Sequence, residues 1–218
     1  MTEELNTLLS DLENEDTKLI EIGKNLIKTN GMTEFTFFCN SILNRTINLN
    51  RGYITLVKDN NYIAAAPLVR LNLDSLLRLF ASTQSEFDVD TFAKNIRKGE
   101  IIRKMKYFKN KKERLTDSKL IEIIKEIKGF KWTEKIYEAG SGYIHLSNQH
   151  FYSSVKISGK NTIESGIRKT DEFVPIKEKI AGTYYMQQAS KGIRIFIGDW
   201  IEERKKSFPD RSDISTQQ

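Results

Sequence analysis

The sequence predicts an all-α fold, a helical bundle that carries one small β-hairpin near residues 153–166. Proline occurs three times in 218 residues, and apolar residues recur at helical spacing over most of the chain. One segment instead alternates apolar and polar residues, as a strand does. A chain of this length buries roughly 70% of its unfolded surface, which is enough for one domain over residues 1–206. The polar end, residues 207–218, is predicted to be disordered.

The first three helices are the clearest. Apolar residues predict a helix over residues 4–28, with a break near 13–16, and Asn30-Gly31 is a typical stop signal. A second helix is expected over 33–59. The third, over 62–81, is the most apolar and should lie at the centre of the bundle.

The pattern of apolar residues is less regular in the second half of the sequence. Asp88 should cap a short helix, and Thr116-Asp117 should cap another. The glycines of Gly140-Ser141-Gly142 are expected to interrupt a helix. A two-stranded hairpin is only marginally stable alone, so the hairpin near residues 153–166 is expected to lie on the helical body. Helices are predicted over residues 89–96, 118–128, 132–139 and 175–206.

The composition excludes several classes of protein. The single cysteine, Cys39, excludes an intramolecular disulfide and a multi-cysteine zinc site, and its apolar neighbours predict a small buried hydrophobe. No run approaches the roughly 18–20 apolar residues that span a bilayer, and the acidic start of the chain lacks the features of a signal peptide. We therefore expect a cytoplasmic protein with no membrane partner.

Three charged residues lie among leucines on the central helix. Arg70, Asp74 and Arg78 are spaced four residues apart, which places them on one stripe. One aspartate cannot neutralise two arginines, so positive charge remains for another carboxylate, a helix end or an anionic ligand. The stripe is either a structural ion-pair network or a pocket for a phosphate group. No glycine-rich phosphate loop supports a small phosphorylated ligand.

Both histidines, His145 and His150, lie five residues apart in the eleven-residue window 140–150. Histidine suits proton transfer near neutral pH, so His145 is a candidate general acid or base, with His150 or Tyr143 assisting. Alternatively, His145 packs in the core against a carboxylate such as Asp74. The histidine spacing does not suit one shared zinc ion, and we predict no metal and no other cofactor. The glycines around Ser141 lack the spacing of a nucleophile elbow.

Residues 94–114 form a basic connector with ten lysines and arginines against two glutamates. Cationic side chains beside aromatic rings suit a polyanion, because the charges bind phosphates and the rings stack on bases. The alternative is a solvated connector between helices. The predicted nucleic-acid-binding residues are Lys104, Lys106, Tyr107, Lys109, Lys111 and Lys112.

The pattern over residues 60–155 resembles a set of uncharacterised bacterial helical proteins. It consists of an arginine-bearing core helix, with Arg70, Asp74 and Arg78, followed by Ser141-Gly142-Tyr143-Ile144-His145-Leu146-Ser147 and then His150. This resemblance implies a helical fold and carries no established activity.

More remotely, the layout resembles the HEPN superfamily of helical bundles, many of which are ribonucleases in antiviral or toxin–antitoxin systems. Members usually cleave RNA without metal, with a histidine four to six residues after an arginine and commonly across a dimer interface. No arginine here has a histidine at that spacing. The resemblance therefore implies that Arg70 or Arg78 meets His145 from a separate helix.

Two functions follow as hypotheses. The first is a metal-independent endoribonuclease of a bacterial defence or stress system, in which Arg70 and Arg78 stabilise the transition state and Asp74 orients an arginine or His145. The second is a non-catalytic helical module that binds nucleic acid or a protein, with the charged stripe as scaffolding. The expected partners are RNA or another nucleic acid, a second copy of the chain, or a partner protein.

Overall fold

A computed structural model describes residues 2–145, 147–159 and 162–207, and over these residues the chain is a helical bundle with two small antiparallel hairpins. The helices are α1 (Glu3–Asn30), α2 (Glu34–Lys58), α3 (Tyr62–Gln84), α4 (Val89–Arg97), α5 (Asp117–Ile124), α6 (Trp132–Ile144), α7 (Asn148–Ser154) and α8 (Ile176–Ser207). The strands are β1 (Lys106–Tyr107), β2 (Asn110–Arg114), β3 (Val155–Gly159) and β4 (Thr162–Ser165). The predicted all-α class is confirmed.

The helix ends follow from local sequence. The side chains of Thr33, Asp88 and Thr116 accept hydrogen bonds from backbone N–H groups in the first turns of α2, α4 and α5. Gly31 ends α1 with a φ of 67°, which favours glycine. These short-range signals were readable from the sequence.

The core lies around α3, as predicted. This helix packs on α2, α6 and α8, while α1 packs on α8 and α2. Leu73, Leu76 and Leu77 are fully buried. Cys39 is also fully buried, and burial raises the pKa of its thiol, so it behaves as the predicted small hydrophobe.

Two predicted helix interruptions are wrong. In both places the helix continues, because the residues concerned contact another helix. Helix α1 runs through residues 13–16, where the buried Glu15 accepts a hydrogen bond from Arg194 of α8. Helix α6 runs through Gly140, where a Cβ atom would lie 2.9 Å from the Cβ of Arg70. The glycine therefore allows close approach of two helices.

The hairpin predicted near residues 153–166 is present as β3 and β4, with Ile157 opposite Ile163. Its expected position against the helical body is wrong. Both isoleucines are about two-thirds exposed, at 69% and 68%, and no residue of either strand is buried. The hairpin projects from the end of α7.

The basic connector has more structure than predicted. After α4, a 3-10 helix over Ile102–Lys104 leads into β1 and β2, with Lys106 opposite Arg114. The buried side chains of Met105, Tyr107 and Leu115 join this hairpin to the core. The hairpin is therefore anchored to the core at its base, while its turn and most of β2 are exposed.

The predicted disordered tail overlaps α8 at Ser207, the last residue of that helix, and residues 208–218 lie outside the described part of the chain. The single domain over residues 1–206 stays a prediction. In the described part of the chain, no helix combines the length and apolar character that a membrane span requires.

Candidate functional site

The stripe on α3 belongs to a larger group of charges, the arginine cluster, which consists of Arg45, Arg70, Asp74, Arg78, Arg103 and Asp117. Its centre is Arg78, whose Nη2 donates to Asp74 at 2.6 Å and to Asp117 at 2.7 Å. These distances are typical of strong charge-assisted hydrogen bonds. The cluster joins α2, α3, the 3-10 helix and α5.

The other three arginines of the cluster contact the two aspartates that bind Arg78. Arg45 of α2 donates to Asp74 at 3.2 Å and to the Ser75 hydroxyl at 2.9 Å. Arg70 donates to Asp117 at 3.3 Å. Arg103 Nε lies 3.7 Å from the same aspartate, which is too long for a hydrogen bond.

Sequence reasoning missed three members of this cluster as site residues: Arg45, Arg103 and Asp117. Asp117 was read as part of a capping signal, but Thr116 caps α5 and the carboxylate of Asp117 turns to α3. Arg45 carried no signal at all. The excess charge on the stripe left a further carboxylate as one of three possibilities, beside a helix end and an anionic ligand, and nothing in the sequence said which carboxylate it would be.

The cluster keeps an excess of positive charge. Four guanidinium groups face two carboxylates, which leaves two positive charges. Arg78 and Asp117 are mostly buried, whereas the side chains of Arg45 and Arg103 are 41% and 63% exposed. Nη1 of Arg78 is sealed from solvent and has no hydrogen-bond acceptor.

Arg70 is fixed between two helices. Its guanidinium lies 4.8 Å from the ring centroid of Tyr137 on α6, a cation–π contact, while its aliphatic stem packs on Gly140. With Asp117 on its other side, Arg70 holds α5 and α6 against α3. These contacts fit the interpretation of the stripe as a structural ion-pair network, which stays a prediction.

His145 does not join the stripe. It is exposed just beyond the end of α6, and among the described residues no hydrogen bond or ion pair connects it to Arg70, Asp74 or Arg78. Its predicted alternative, a core histidine bonded to Asp74, is also wrong because the residue is exposed. The expected meeting of His145 with the arginines is therefore not made within this chain.

His150 and Tyr143 lie together at a different level of the bundle. Their ring centroids are 6.1 Å apart, and Tyr143 packs edge-on against Tyr62 at the start of α3. Since Tyr62 and Arg70 are eight residues apart, this group lies about 12 Å along the helix from Arg70. Burial raises the pKa of Tyr143, and Nδ1 of His150 is buried without a partner.

The first hairpin presents the predicted basic surface. The side chains of Lys104, Lys106, Lys109, Lys111 and Lys112 are all exposed. Within the described part of the chain, none of these five lysines forms an ion pair. We call this group of lysines the basic hairpin surface.

The aromatic assignment at this surface needs correction. Tyr107 was predicted to bind nucleic acid, but it is buried and its ring lies under Lys119. Its neighbour Phe108 is 47% exposed, and Lys109 lies 5.6 Å from its ring centroid. The ring that can stack on a base is therefore that of Phe108.

The one acidic side chain of β2 is already neutralised. Glu113 forms an ion pair of 2.7 Å with Lys119 and accepts a hydrogen bond from Asn110. The bond from Lys119 holds the pKa of this carboxyl below its usual range and raises that of the lysine. Glu113 therefore does little to offset the five lysines.

Within the described residues, no three histidine, cysteine or acidic side chains are grouped as a metal site would require. The fold and surfaces define an α-helical bundle with a basic hairpin. No protein-family model matches the sequence, and neither a curated protein nor a solved structure shows significant similarity to it. The resemblance to the HEPN superfamily stays a prediction.

Proposed function

We propose that this protein is a helical module that binds RNA through the basic hairpin surface. The observation that carries the proposal is the set of five exposed lysines, which form no ion pair with the residues that the structure describes, beside the exposed ring of Phe108. Lysines bind the phosphates of a strand, and aromatic rings stack on its bases regardless of sequence. Single-stranded RNA offers both groups at once.

The attachment of the hairpin supports this function. Phe108 N–H donates to the carbonyl of Gln84, and Glu86 N–H donates to that of Lys106, so β1 is bonded to the segment that ends α3. Buried Leu115 holds the other end. A surface fixed in this way loses less conformational entropy on binding than a flexible basic segment would.

The test is RNA binding by fluorescence anisotropy as a function of salt. For single strands the logarithm of affinity falls with a slope of about −0.7 per phosphate neutralised. The triple variant Lys109→Gln, Lys111→Gln, Lys112→Gln should bind more weakly and reduce the magnitude of that slope by about 2.

The matched control is Lys24→Gln, Lys28→Gln, Lys58→Gln on α1 and α2, which removes the same charge from three exposed lysines elsewhere. It should keep the wild-type slope. Phe108→Ala should weaken binding by about 1–3 kcal/mol if its ring stacks on a base. Equal salt slopes in both triple variants would refute the proposed surface.

A second candidate function is metal-independent RNA cleavage of the HEPN-like kind, in a defence or stress system. The observation that favours it is the exposure of His145, whose imidazole is open to a substrate. Cleavage should persist in EDTA and stop in His145→Ala with little change in melting temperature, because an exposed side chain contributes little to stability. His150→Ala tests whether His150 assists cleavage or has a structural role. An assisting role predicts weaker cleavage at an unchanged melting temperature, and a structural role predicts a lower melting temperature. Cleavage unchanged in His145→Ala would exclude this residue from catalysis.

A further inference from the structure

The arginine cluster is charged beyond what its own carboxylates neutralise. Asp74 and Asp117 together serve Arg45, Arg70, Arg78 and Arg103. A structural network that ended with its internal pairs would balance its charges, because each unpaired buried charge costs free energy. Here the surplus lies beside two solvent-exposed arginines, at the edge of the cluster where a ligand can approach.

The central arginine has unused donors. Nη2 of Arg78 binds both aspartates, whereas Nη1 is buried and has no acceptor. A buried donor without a partner is costly, and such groups are rare in folded proteins. The charge on Arg78 is therefore not fully compensated by hydrogen bonds within the described part of the chain.

Arg103 is the most easily displaced member of the cluster. It approaches the Asp117 oxygen that also binds Arg78, but at 3.7 Å and with most of its side chain in solvent. A pair of this kind contributes little to stability, so its guanidinium can turn to another anion at low cost. Arg103 also belongs to the 3-10 helix that leads directly into the first hairpin.

We propose that the arginine cluster is a phosphate-binding site, in which Arg103 donates to the phosphate oxygens and Arg45 and Arg78 add positive potential. Guanidinium groups match the geometry of phosphate and bind it in two places. The site lies outside the basic hairpin surface and does not require it. The phosphate comes either from the backbone of a bound strand or from a free phosphorylated molecule.

The first measurement is the affinity of the full-length protein for inorganic phosphate, by isothermal titration calorimetry at constant ionic strength. Arg103→Gln should weaken binding about tenfold, the loss of one charged hydrogen bond. Arg97→Gln is the matched control, since Arg97 is 61% exposed and forms an ion pair with Glu34. It should bind phosphate as the wild type does. Absence of binding, or equal loss in both variants, would overturn the proposal.

A second measurement follows Arg78 itself, because its substitution could prevent folding. The guanidinium nitrogen resonances of Arg78 should shift when phosphate is added to the wild-type protein, and those of Arg97 should not. Unchanged Arg78 resonances at saturating phosphate would overturn the assignment.

The source of the phosphate is decided by RNA binding. If the cluster binds a phosphate of the RNA backbone, Arg103→Gln should weaken RNA binding more than Arg97→Gln does, and inorganic phosphate should compete with RNA. If the ligand is free, Arg103→Gln loses phosphate affinity but keeps RNA affinity. The triple lysine variant of β2 and its turn should bind inorganic phosphate normally in either case, so failure of the hairpin function and failure of this site give different results.

Discussion

The two hairpins of this protein have similar size and opposite relations to the bundle. The first, β1–β2, carries charged side chains but has buried anchors at Met105, Tyr107 and Leu115. The second, β3–β4, carries the apolar pair Ile157 and Ile163 and buries neither. Local pattern therefore did not decide which hairpin meets the core.

The difference follows from the residues that flank each ribbon. A two-stranded ribbon is marginal alone, so its position depends on neighbouring attachments. The first hairpin has attachments at both ends of its strands. The second continues directly from α7 and has its buried attachment after β4, where Asp171 accepts hydrogen bonds from Lys179 of α8 and from the backbone of Tyr62.

The largest expected effect comes from breaking that attachment. In Asp171→Asn, Lys179 would remain buried without its 2.7 Å partner, and the free energy of unfolding should fall by about 3–5 kcal/mol. Urea denaturation measures the loss. The control Glu172→Gln removes an exposed carboxylate paired with Arg168 and should cost no more than about 1 kcal/mol. Similar losses in both variants would contradict a special role for Asp171.

The next largest effect tests whether the first hairpin is anchored to the core. Leu115 is fully buried, so Leu115→Ala should lower the free energy of unfolding by about 2–5 kcal/mol. Faster amide hydrogen exchange at Tyr107 and Leu115 should accompany that loss. Stability close to that of the wild type would show that the basic hairpin is not anchored to the core.

A smaller effect depends on pH. Because Lys119 lowers the pKa of Glu113 in the folded state, this ion pair stabilises the protein above the unfolded pKa of the carboxyl. The stabilisation is lost as the pH falls through the folded pKa. Melting temperatures of wild type and Glu113→Gln should therefore differ at neutral pH and converge in acid. A constant difference across that range would argue against the ion pair.

The smallest effect is expected in the second hairpin. Ile157→Ala and Ile163→Ala each remove an exposed side chain, so the free energy of unfolding should change by no more than about 0.5 kcal/mol. Urea denaturation of both variants beside Leu115→Ala tests the comparison directly. A loss of several kcal/mol in either isoleucine variant would show that this hairpin is buried in solution.

Much of the helical framework could be predicted from the sequence. Thr33, Asp88 and Thr116 cap their helices through contacts within three residues, and its high content of apolar residues identifies α3 as central. The spacing of Arg70, Asp74 and Arg78 also placed them on one stripe, because helix geometry fixes which residues share a face. These features depend on short-range geometry.

The candidate site depended on contacts between distant parts of the chain. Asp117 and Arg45 lie 39 and 33 residues from Arg78 in sequence, and only the packing of α2 and α5 on α3 brings them to the cluster. The same packing left His145 outside it and buried Tyr107 while exposing Phe108. Sequence alone determined most of the helices, the caps at Asp88 and Thr116, and the excess of positive charge. The tertiary structure decided which charges meet, because ion pairs form across helix interfaces whose register no local pattern specifies.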